Sequence, residues 1–319
     1  MVPCPRHRLY SNPVIYPTAH RHPSRRIPMK TFNLIGAGKV GRTLASLWKR
    51  VHAFSIQDVL SGTPQSARAA VTFIGEGRAV SALESMRAAD IWMLTPPDSE
   101  IAACCSALAA SGLLRKGDIV FHCSGALSSE ELAPAAGHGA LIASVHPLKS
   151  FAEPRAAVDS FARTWCAAEG DRAALAVLRP AFERIGGRIA EIDPQFKPVY
   201  HAASVMVSNY LVALMEGGLR CYEKAGIPRE AAEAMMAPLV RETVDNVFKL
   251  GTITALTGPI ARGDDAVVAR QLAALTEWNA RIGDLYRELG AVALDLARRQ
   301  GESSAAALER MERLLGRGE

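Results

Sequence analysis

The sequence predicts an α/β protein in which a doubly wound parallel sheet is followed by an all-helical domain. Short apolar runs alternate with helical patterns from residue 29 to about residue 151, which is typical of parallel β–α units. From about residue 196 only helical periodicity remains. The length of 319 residues allows about two domains of ~100–200 residues each. A connecting β–α–β segment is predicted between them, at residues 152–195, and the helical domain covers residues 196–319.

The sheet elements follow one another at regular intervals. The predicted strands are 32–35, 54–60, 71–73, 91–94, 119–123 and 141–145, with two more at 164–168 and 188–192. The predicted helices are 40–49, 79–86, 99–110, 129–133 and 171–185, then one long helix at 197–225, another at 229–250, a third from Asp264 to 299 with a bend near Gly283 and Gly290, and a short one at 303–315.

Composition excludes several classes of function. Residues 1–28 carry five arginines and no acidic residue, and without them the remaining 32 Lys and Arg balance the 32 Asp and Glu. The charge balance of the folded part therefore gives no argument for nucleic-acid binding. No run of 18 apolar residues predicts a membrane span. The six cysteines have no metal-ligand spacing, so we predict no metal site and reduced thiols in the cytoplasm.

Residues 1–28 differ from the rest of the chain. They contain six prolines and three histidines, and they lack the apolar core of a secretory signal. One interpretation is a disordered extension. The other is that the native protein starts at Met29, so that the first strand lies at its N-terminus.

A glycine-rich turn follows the first strand. Gly36 permits a tight turn, Gly38 lets a pyrophosphate approach the backbone, and Gly41 lets the next helix pack close to the strand. The helix start adds free N–H groups and a partial positive charge. We therefore predict a dinucleotide-binding domain at residues 29–151. The residues predicted to hold the phosphates are Gly36, Ala37, Gly38, Lys39, Val40 and Gly41.

The end of the second strand favours NADP over NAD. Ser61 and Thr63 can donate hydrogen bonds to a 2′-phosphate, and Arg42 or Arg68 can supply charge. A carboxylate that would bind a free 2′-hydroxyl is expected ~20 residues after the glycines. Asp58 is near this position but lies inside the predicted strand. The alternative is that the two hydroxyls only form a turn.

Loops at other strand ends add candidate residues. Thr95, Pro96 and Pro97 form a rigid segment that can carry the nicotinamide end of a cofactor, although a helix start is an equally simple reading. Ser124 and His146 follow the fifth and sixth strands. In doubly wound sheets the ligand lies at these carboxyl ends.

A polar stripe marks the first helix of the helical region. Lys197, His201, Ser204 and Ser208 share one face of an otherwise apolar helix, and Asn209 lies near its edge. A solvated face or a subunit contact would explain the stripe. Alternatively, Lys197 or His201 supplies the proton that hydride transfer to a C=O or C=N bond requires. On that interpretation Lys197, His201, His146 and Asn209 are candidate catalytic residues.

Four motifs together resemble a known bacterial family. They are HPLKSF at 146–151, Lys197 with YHAA at 200–203, SNY at 208–210 and ALTGPIARGD at 255–264. The family joins a Rossmann-like NADP-binding domain to a helical C-terminal domain of unknown function. It is similar to pyrroline-5-carboxylate reductases, coenzyme F420-dependent NADP oxidoreductases and, more distantly, 6-phosphogluconate and β-hydroxyacid dehydrogenases.

The resemblance implies an NADP-dependent oxidoreductase that dimerises through a helical domain like that of 6-phosphogluconate dehydrogenase. The resemblance supplies no substrate. The residues themselves suggest a small carbonyl or imine compound, with Ser208 on the polar stripe and Arg262, which could bind a carboxylate bidentately, as candidate substrate ligands. Two positions depart from the related families: Gly62 stands where an arginine often binds the 2′-phosphate, and His201 stands one turn after Lys197 in place of an asparagine. A non-catalytic NAD(P)-binding sensor or scaffold is the alternative.

Overall fold

The computed structural model describes residues 29–316 and contains one sheet of eight strands. The predicted extension at residues 1–28 lies outside the described residues. The strands are β1 (Thr31–Ile35), β2 (Ser55–Leu60), β3 (Arg78–Val80), β4 (Ile91–Leu94), β5 (Ile119–His122), β6 (Leu141–Pro147), β7 (Trp165–Gly170) and β8 (Arg188–Glu191).

The strand order is β3-β2-β1-β4-β5-β6-β7-β8. The first six strands are parallel, β7 runs antiparallel to β6, and β8 is parallel to β7. The order of the first six is that of a dinucleotide-binding sheet, which confirms the predicted doubly wound fold. The segment predicted as a connection thus adds two strands to the same sheet.

Helices cover both faces of the sheet, and only helices follow β8 in the part of the chain that the structure describes. They are α1 (Lys39–Arg50), α2 (Pro64–Ile74), α3 (Asp98–Ala110), α4 (Ala133–Gly137), α5 (Pro154–Asp159), α6 (Arg172–Arg184), α7 (Lys197–Val207), α8 (Asn209–Lys224), α9 (Arg229–Leu250), α10 (Thr252–Ala255), α11 (Pro259–Arg262), α12 (Asp265–Trp278), α13 (Ala280–Gln300) and α14 (Ala305–Leu315). Short 3₁₀ helices occur at Leu83–Ser85, Ser129–Leu132 and Pro194–Phe196.

Aromatic packing dominates one face of the sheet. The Trp48 ring of α1 lies 5.1–6.3 Å, centroid to centroid, from those of Phe32, Phe54, Phe121 and Phe182. Its indole nitrogen donates to the carbonyl of Ala181, 3.0 Å away. Buried tryptophans normally need such a partner. This cluster holds α1 and α6 against the strands that precede the candidate site.

The strand predicted at 71–73 and the helix predicted at 79–86 were wrong. Residues 71–73 belong to α2, which begins at the capping residue Thr63 and buries Ala67, Ala70 and Ile74 at helical spacing. The helix ends at Gly75, whose φ is +78°. Residues 78–80 then form β3. The β-branched and aromatic residues at 71–73 favour a strand locally, but the helical spacing of the buried residues in α2 determines the structure.

Two predicted helices are each divided. Ser208 separates α7 from α8, and its hydroxyl donates to the carbonyl of Ser204, a bond that competes with helical pairing. Asn279 separates α12 from α13 and caps the latter by accepting from the N–H of Ile282. The expected bend near Gly283 and Gly290 is thus a break at Asn279.

The chain forms two compact units, one ending at Ala203 and one beginning at Ser204. The second unit has a small core that includes Val268, Leu294 and Met311. Within residues 29–316, one helical stretch, Pro194–Lys224, has the length and apolarity of a membrane span, and 11% of its most apolar window is buried. By itself such a stretch is weak evidence for a membrane.

Candidate functional site

The glycine turn packs directly against the loop after β4. A Cβ on Gly36, where φ is +85°, would lie 2.2 Å from the nitrogen of Pro96. A Cβ on Gly41 would lie 2.4 Å from Oγ1 of Thr95. The Thr95 hydroxyl also donates to the carbonyl of Gly36 at 2.7 Å. Two glycines are therefore required by packing, and Thr95 and Pro96 form the wall of the turn.

Gly38 is different, because its side faces open space. The nearest atom to a Cβ placed there, the carbonyl oxygen of Thr95, would be 3.9 Å away. No side chain caps α1, which starts at Lys39. The Arg42 guanidinium donates to the carbonyls of Ala37 and Gly38 and so brings a positive charge to the turn. An open glycine, an uncapped helix start and a nearby cation fit a bound pyrophosphate.

The end of β2 holds no free carboxylate. Asp58 is fully buried and receives hydrogen bonds from Arg78 and Arg87. Burial alone would raise the pKa of Asp58, but these hydrogen bonds outweigh it and lower the pKa. Thr63 caps α2 by accepting from the N–H of Ser66 at 3.1 Å. The contacts of its hydroxyl are therefore local, as expected if Thr63 only forms a turn. A Cβ on Gly62 would meet no atom within 4 Å.

Ser124 organises the loop after β5. Its hydroxyl donates to Oδ2 of Asp98 at 2.7 Å and accepts from the N–H groups of Ala126 and Leu127. The sequence analysis did not identify His122, which lies two residues before Ser124, as a functional candidate. His122 is fully buried; its Nδ1 accepts from the Ser124 N–H, and its Nε2 is 3.0 Å from the carbonyl of Ser128. Burial lowers the pKa of His122 to about 4, so this ring is neutral at physiological pH.

Two histidines converge above Gly125, the residue that follows Ser124. A Cβ there would lie 2.5 Å from Nδ1 of His201 and 2.8 Å from Nε2 of His146. The two imidazole centroids are 5.7 Å apart. His146 comes from β6 and His201 from α7, so only a residue without a side chain lets them meet at this point.

The two histidines have different partners. Nδ1 of His146 is 3.0 Å from the Tyr200 hydroxyl. Burial raises the pKa of Tyr200 to about 12, so the phenol keeps its proton at physiological pH. Burial, aided by the charges of His201 and Lys197, lowers the pKa of His146 to about 4. By contrast, Nδ1 of His201 is buried and has no hydrogen-bond partner, which is rare for a buried polar atom.

Lys197 lies one helical turn before His201 on α7 and is fully buried. Its ammonium donates to Oε1 of Glu169 at 2.9 Å and contacts the Ser144 hydroxyl. Glu169 also accepts from the N–H and hydroxyl of Ser129. Burial lowers the pKa of Lys197, and the bond to Glu169 opposes that shift. The sequence analysis did not identify Glu169 as a candidate. Its position directly after the predicted buried strand at 164–168 could have indicated a buried carboxylate that needs a partner.

Other predicted site residues belong to the second unit. Ser208 and Asn209 stand at the break between α7 and α8, where the hydroxyl of Ser208 also reaches Oδ1 of Asn209. Arg262 is exposed and pairs with Asp264 at 3.3 Å. Their roles toward a substrate remain predictions. Among residues 29–316, no group of three or more His, Cys, Asp and Glu could hold a metal ion.

Family comparisons match both parts of the chain. Residues 19–147 match the Rossmann-like domain, and residues 164–293 match a domain of unknown function, DUF2520. These matches confirm the family resemblance drawn from the sequence. A search of curated proteins gave no match.

Solved structures with the same fold span nearly the whole of their own chains. A Thermotoga maritima protein, TM1727, is 26% identical, with a TM-score of 0.68 over 85% of this chain and 99% of its own. A proposed NADP oxidoreductase from Bacteroides fragilis is 23% identical, with a TM-score of 0.65 over 83% and 98%. An imine reductase from a Pseudomonas species is 17% identical, with a TM-score of 0.60 over 89% and 99%.

Proposed function

We propose that this chain, which joins a Rossmann-like domain to a DUF2520 domain, is a nicotinamide-dependent oxidoreductase acting on a small carbonyl or imine compound. The observation that carries the proposal is the buried, unpartnered Nδ1 of His201 above Gly125. This atom lies at the carboxyl end of the sheet that carries the open Gly38 turn. β1 and β6 are three strand spacings apart, about 14 Å, and dinucleotides lie across such a crevice.

The cofactor would be bound by the turn at Gly36–Gly41 with Ala37, Lys39 and Val40, by Ser61 and Thr63, and by Thr95–Pro97 with Ser124. We favour NADP over NAD because Asp58 is occupied by two arginines, so no free carboxylate would repel a 2′-phosphate. The name of the NADP oxidoreductase with this fold supports a nicotinamide cofactor, and that of the imine reductase supports an imine substrate.

The chemistry divides between the two histidines. Reduced nicotinamide, when bound, would supply the hydride. His201 would give a proton from Nδ1 to the oxygen or nitrogen of the substrate and regain it from solvent. In this proposal Tyr200 donates to Nδ1 of His146, and the neutral ring carries its hydrogen on Nε2, from where it would donate a hydrogen bond to the same substrate atom. The buried ammonium of Lys197 is less suited to this step, although Asn209, Ser208 and Arg262 remain candidates for binding the substrate.

A direct test is NADPH oxidation, followed by absorbance, with a panel of small 2-oxo acids, ketones and cyclic imines. With any compound that is turned over, His201→Asn should lower kcat about 100-fold and leave the Kd for NADPH unchanged. His138→Asn is the matched control, because His138 is exposed and lies outside the site. Equal kcat values for His201→Asn and wild type would refute the proton-donor role.

A non-catalytic NAD(P)-binding sensor or scaffold is the second candidate. The full pairing of Lys197 favours it, because the polar stripe of α7 then offers fewer free groups for catalysis. NADPH binding by fluorescence titration, with no oxidation by any panel compound, would support this alternative over the enzyme.

We further propose a homodimer formed through the helical unit. Its exposed apolar side chains include Val207 (76% exposed), Tyr210 and Phe248 (86% exposed). Together with neighbours on α9 and α13 they line a groove of about 610 Å³. Large apolar patches of this kind usually mark protein interfaces or membrane contacts. A second copy of the chain would cover the patch, in a cytoplasmic protein.

Light scattering after gel filtration tests the dimer. Wild type should have twice the mass of one chain, and Phe248→Lys should shift the mass toward that of a monomer. Glu242→Lys, an exposed change on the same helix, is the control. Flotation of wild type with anionic lipid vesicles would instead favour a membrane contact at the stretch Pro194–Lys224.

A further inference from the structure

A buried ion pair joins β7 to α7, one helical turn before His201. Lys197 and Glu169 have side chains that are 0% and 1% exposed, and their charged atoms are 2.9 Å apart. Glu169 keeps both oxygens occupied, because Ser129 donates its N–H at 2.9 Å and its hydroxyl at 2.6 Å. A buried pair costs desolvation energy that its mutual attraction barely repays. The pair is therefore weak as a source of stability, which raises the question of what it does for the site.

The register of the sheet shows what the pair holds. Ser144 is opposite Glu169, and His146 is opposite Ala167, in the antiparallel pairing of β6 with β7. Ser144 and His146 are two residues apart on one strand, so their side chains share a face. That face meets α7.

Two residues of α7 make polar contacts with this face. Lys197 contacts Ser144 and Glu169, and Tyr200, three residues further along the helix, contacts His146. Residues three apart lie on the same side of a helix. Because these contacts are made at two positions along the helix, they restrict both the rotation of α7 about its axis and its position along that axis. His201 is the next residue and reaches Gly125 from this fixed helix.

We propose that Lys197 and Glu169 form an anchor that positions α7, so that the His201 ring is held above Gly125. The inference rests on the proposed function for the importance of His201, but the anchoring itself does not. Lys197 is on this view a positioning residue, which acts through the helix and exchanges no proton with a substrate.

The anchor predicts that removing both charges is milder than removing one. Lys197→Met leaves the Glu169 carboxylate buried without its cation, whereas Lys197→Met/Glu169→Gln leaves a neutral pair that Ser129 can still satisfy. One-sided loss is strongly destabilising, and replacement of the whole pair is often neutral. We expect the Tm of Lys197→Met to fall by about 10 °C and that of the double variant to recover most of this loss.

Hydrogen–deuterium exchange of the α7 peptide and the ring ¹³Cε1 resonance of His201 report the position of the helix without any substrate. Lys197→Met should accelerate exchange in α7 about tenfold and shift the His201 resonance, and the double variant should return both to wild-type values. Lys116→Met, which changes an exposed lysine of the same unit, should change neither. Unaltered α7 exchange and an unaltered His201 resonance in Lys197→Met would overturn the anchor.

Turnover separates positioning from proton transfer. With a panel compound that wild type reduces, Lys197→Met should lose kcat about tenfold or more at an unchanged Kd for NADPH, and the double variant should regain kcat. If the double variant recovers α7 protection and Tm but stays as inactive as Lys197→Met, Lys197 acts on the substrate and the positioning role is wrong. If wild type reduces no panel compound, the proposed function has failed while the exchange and resonance results still decide the anchor.

Discussion

The glycine turn after β1 and the histidine pair at the end of β6 lie at the same edge of one sheet but are built by opposite means. The turn is made of neighbouring residues whose missing side chains create the space, from Gly36 to Gly41. The histidine pair is made of side chains from β6 and α7, which are 55 residues apart in the sequence (146 to 201). Local sequence therefore specifies the first region, and long-range pairing specifies the second.

The largest effect is expected at Gly36, where a side chain is incompatible with both backbone and packing. Gly36→Val combines a positive φ of 85° with a Cβ only 2.2 Å from Pro96. We expect a loss of about 3 kcal/mol or more in the free energy of unfolding and NADPH binding too weak to measure.

Two other glycines provide the comparison for that variant. Gly112→Ala also has a positive φ but meets no atom within 4 Å, so it should lose about 1–2 kcal/mol and keep NADPH binding. Gly38→Ala should fold normally and still weaken NADPH binding, because its new methyl group enters the space assigned to the pyrophosphate. Normal NADPH affinity in Gly38→Ala would contradict the assignment. Urea unfolding and fluorescence titration measure both quantities.

A pH-dependent loss of stability is expected from the histidine side of the sheet. The pKa of His122 is about 4 in the folded protein and 6.5 in the free side chain. Below pH 6.5 the unfolded chain binds a proton that the folded chain does not, so stability is complete above pH 6.5 and declines as pH falls toward 4. The difference amounts to about 3 kcal/mol for His122.

Urea unfolding between pH 7 and pH 4 measures that loss, and His122→Asn is the comparison. The amide oxygen of asparagine can replace Nδ1 as the acceptor for the Ser124 N–H. The variant should be less stable at pH 7 and should lose less stability on acidification than wild type. Parallel curves for the two proteins would show that His122 does not cause the pH dependence.

A smaller effect is expected at Tyr200, whose hydroxyl is hydrogen-bonded to His146. Tyr200→Phe removes the hydroxyl that is hydrogen-bonded to Nδ1 of His146, which in the proposed arrangement is the donor, and so frees that ring to adopt either tautomer. We expect kcat to fall about tenfold, equal to about 1.4 kcal/mol, with an unchanged Kd for NADPH. NMR of ¹⁵N-labelled histidines should show a mixture of tautomers at His146. A single Nε2–H tautomer in the variant would contradict the proposed role of the phenol.

The smallest effect concerns cofactor choice on the glycine side. Gly62→Arg places a cation where the side faces open space, so folding stability should change by no more than about 0.5 kcal/mol. The ratio of the Kd values for NADH and NADPH should rise about tenfold in favour of NADPH. Gly62→Gln, which adds length without charge, is the control. An equal ratio in both variants would show that the 2′-phosphate lies elsewhere.

Sequence reasoning succeeded where a residue's role depends on its neighbours in the chain. It predicted the Gly36–Gly41 turn, the alternation of strands and helices, and the position of Asp58 inside the second strand. It failed at residues 71–73, where three β-favouring residues lie on a helix whose buried face is set by Ala67, Ala70 and Ile74. It also wrongly predicted one long helix through Ser208. The hydrogen bond from a serine hydroxyl to a backbone carbonyl of the preceding turn can interrupt a helix, but it leaves no trace in the hydrophobic periodicity of the sequence.

The glycine spacing and the alternating strands could be predicted from the sequence alone, because backbone conformation and hydrophobic periodicity are local properties. Only the tertiary structure showed that Lys197 is buried against Glu169, that His122 holds the Ser124 loop, and that His146 and His201 meet above Gly125. Those contacts depend on the order and register of β5, β6 and β7 and on the docking of α7. A sequence lists such residues in different places, and strand pairing brings them together.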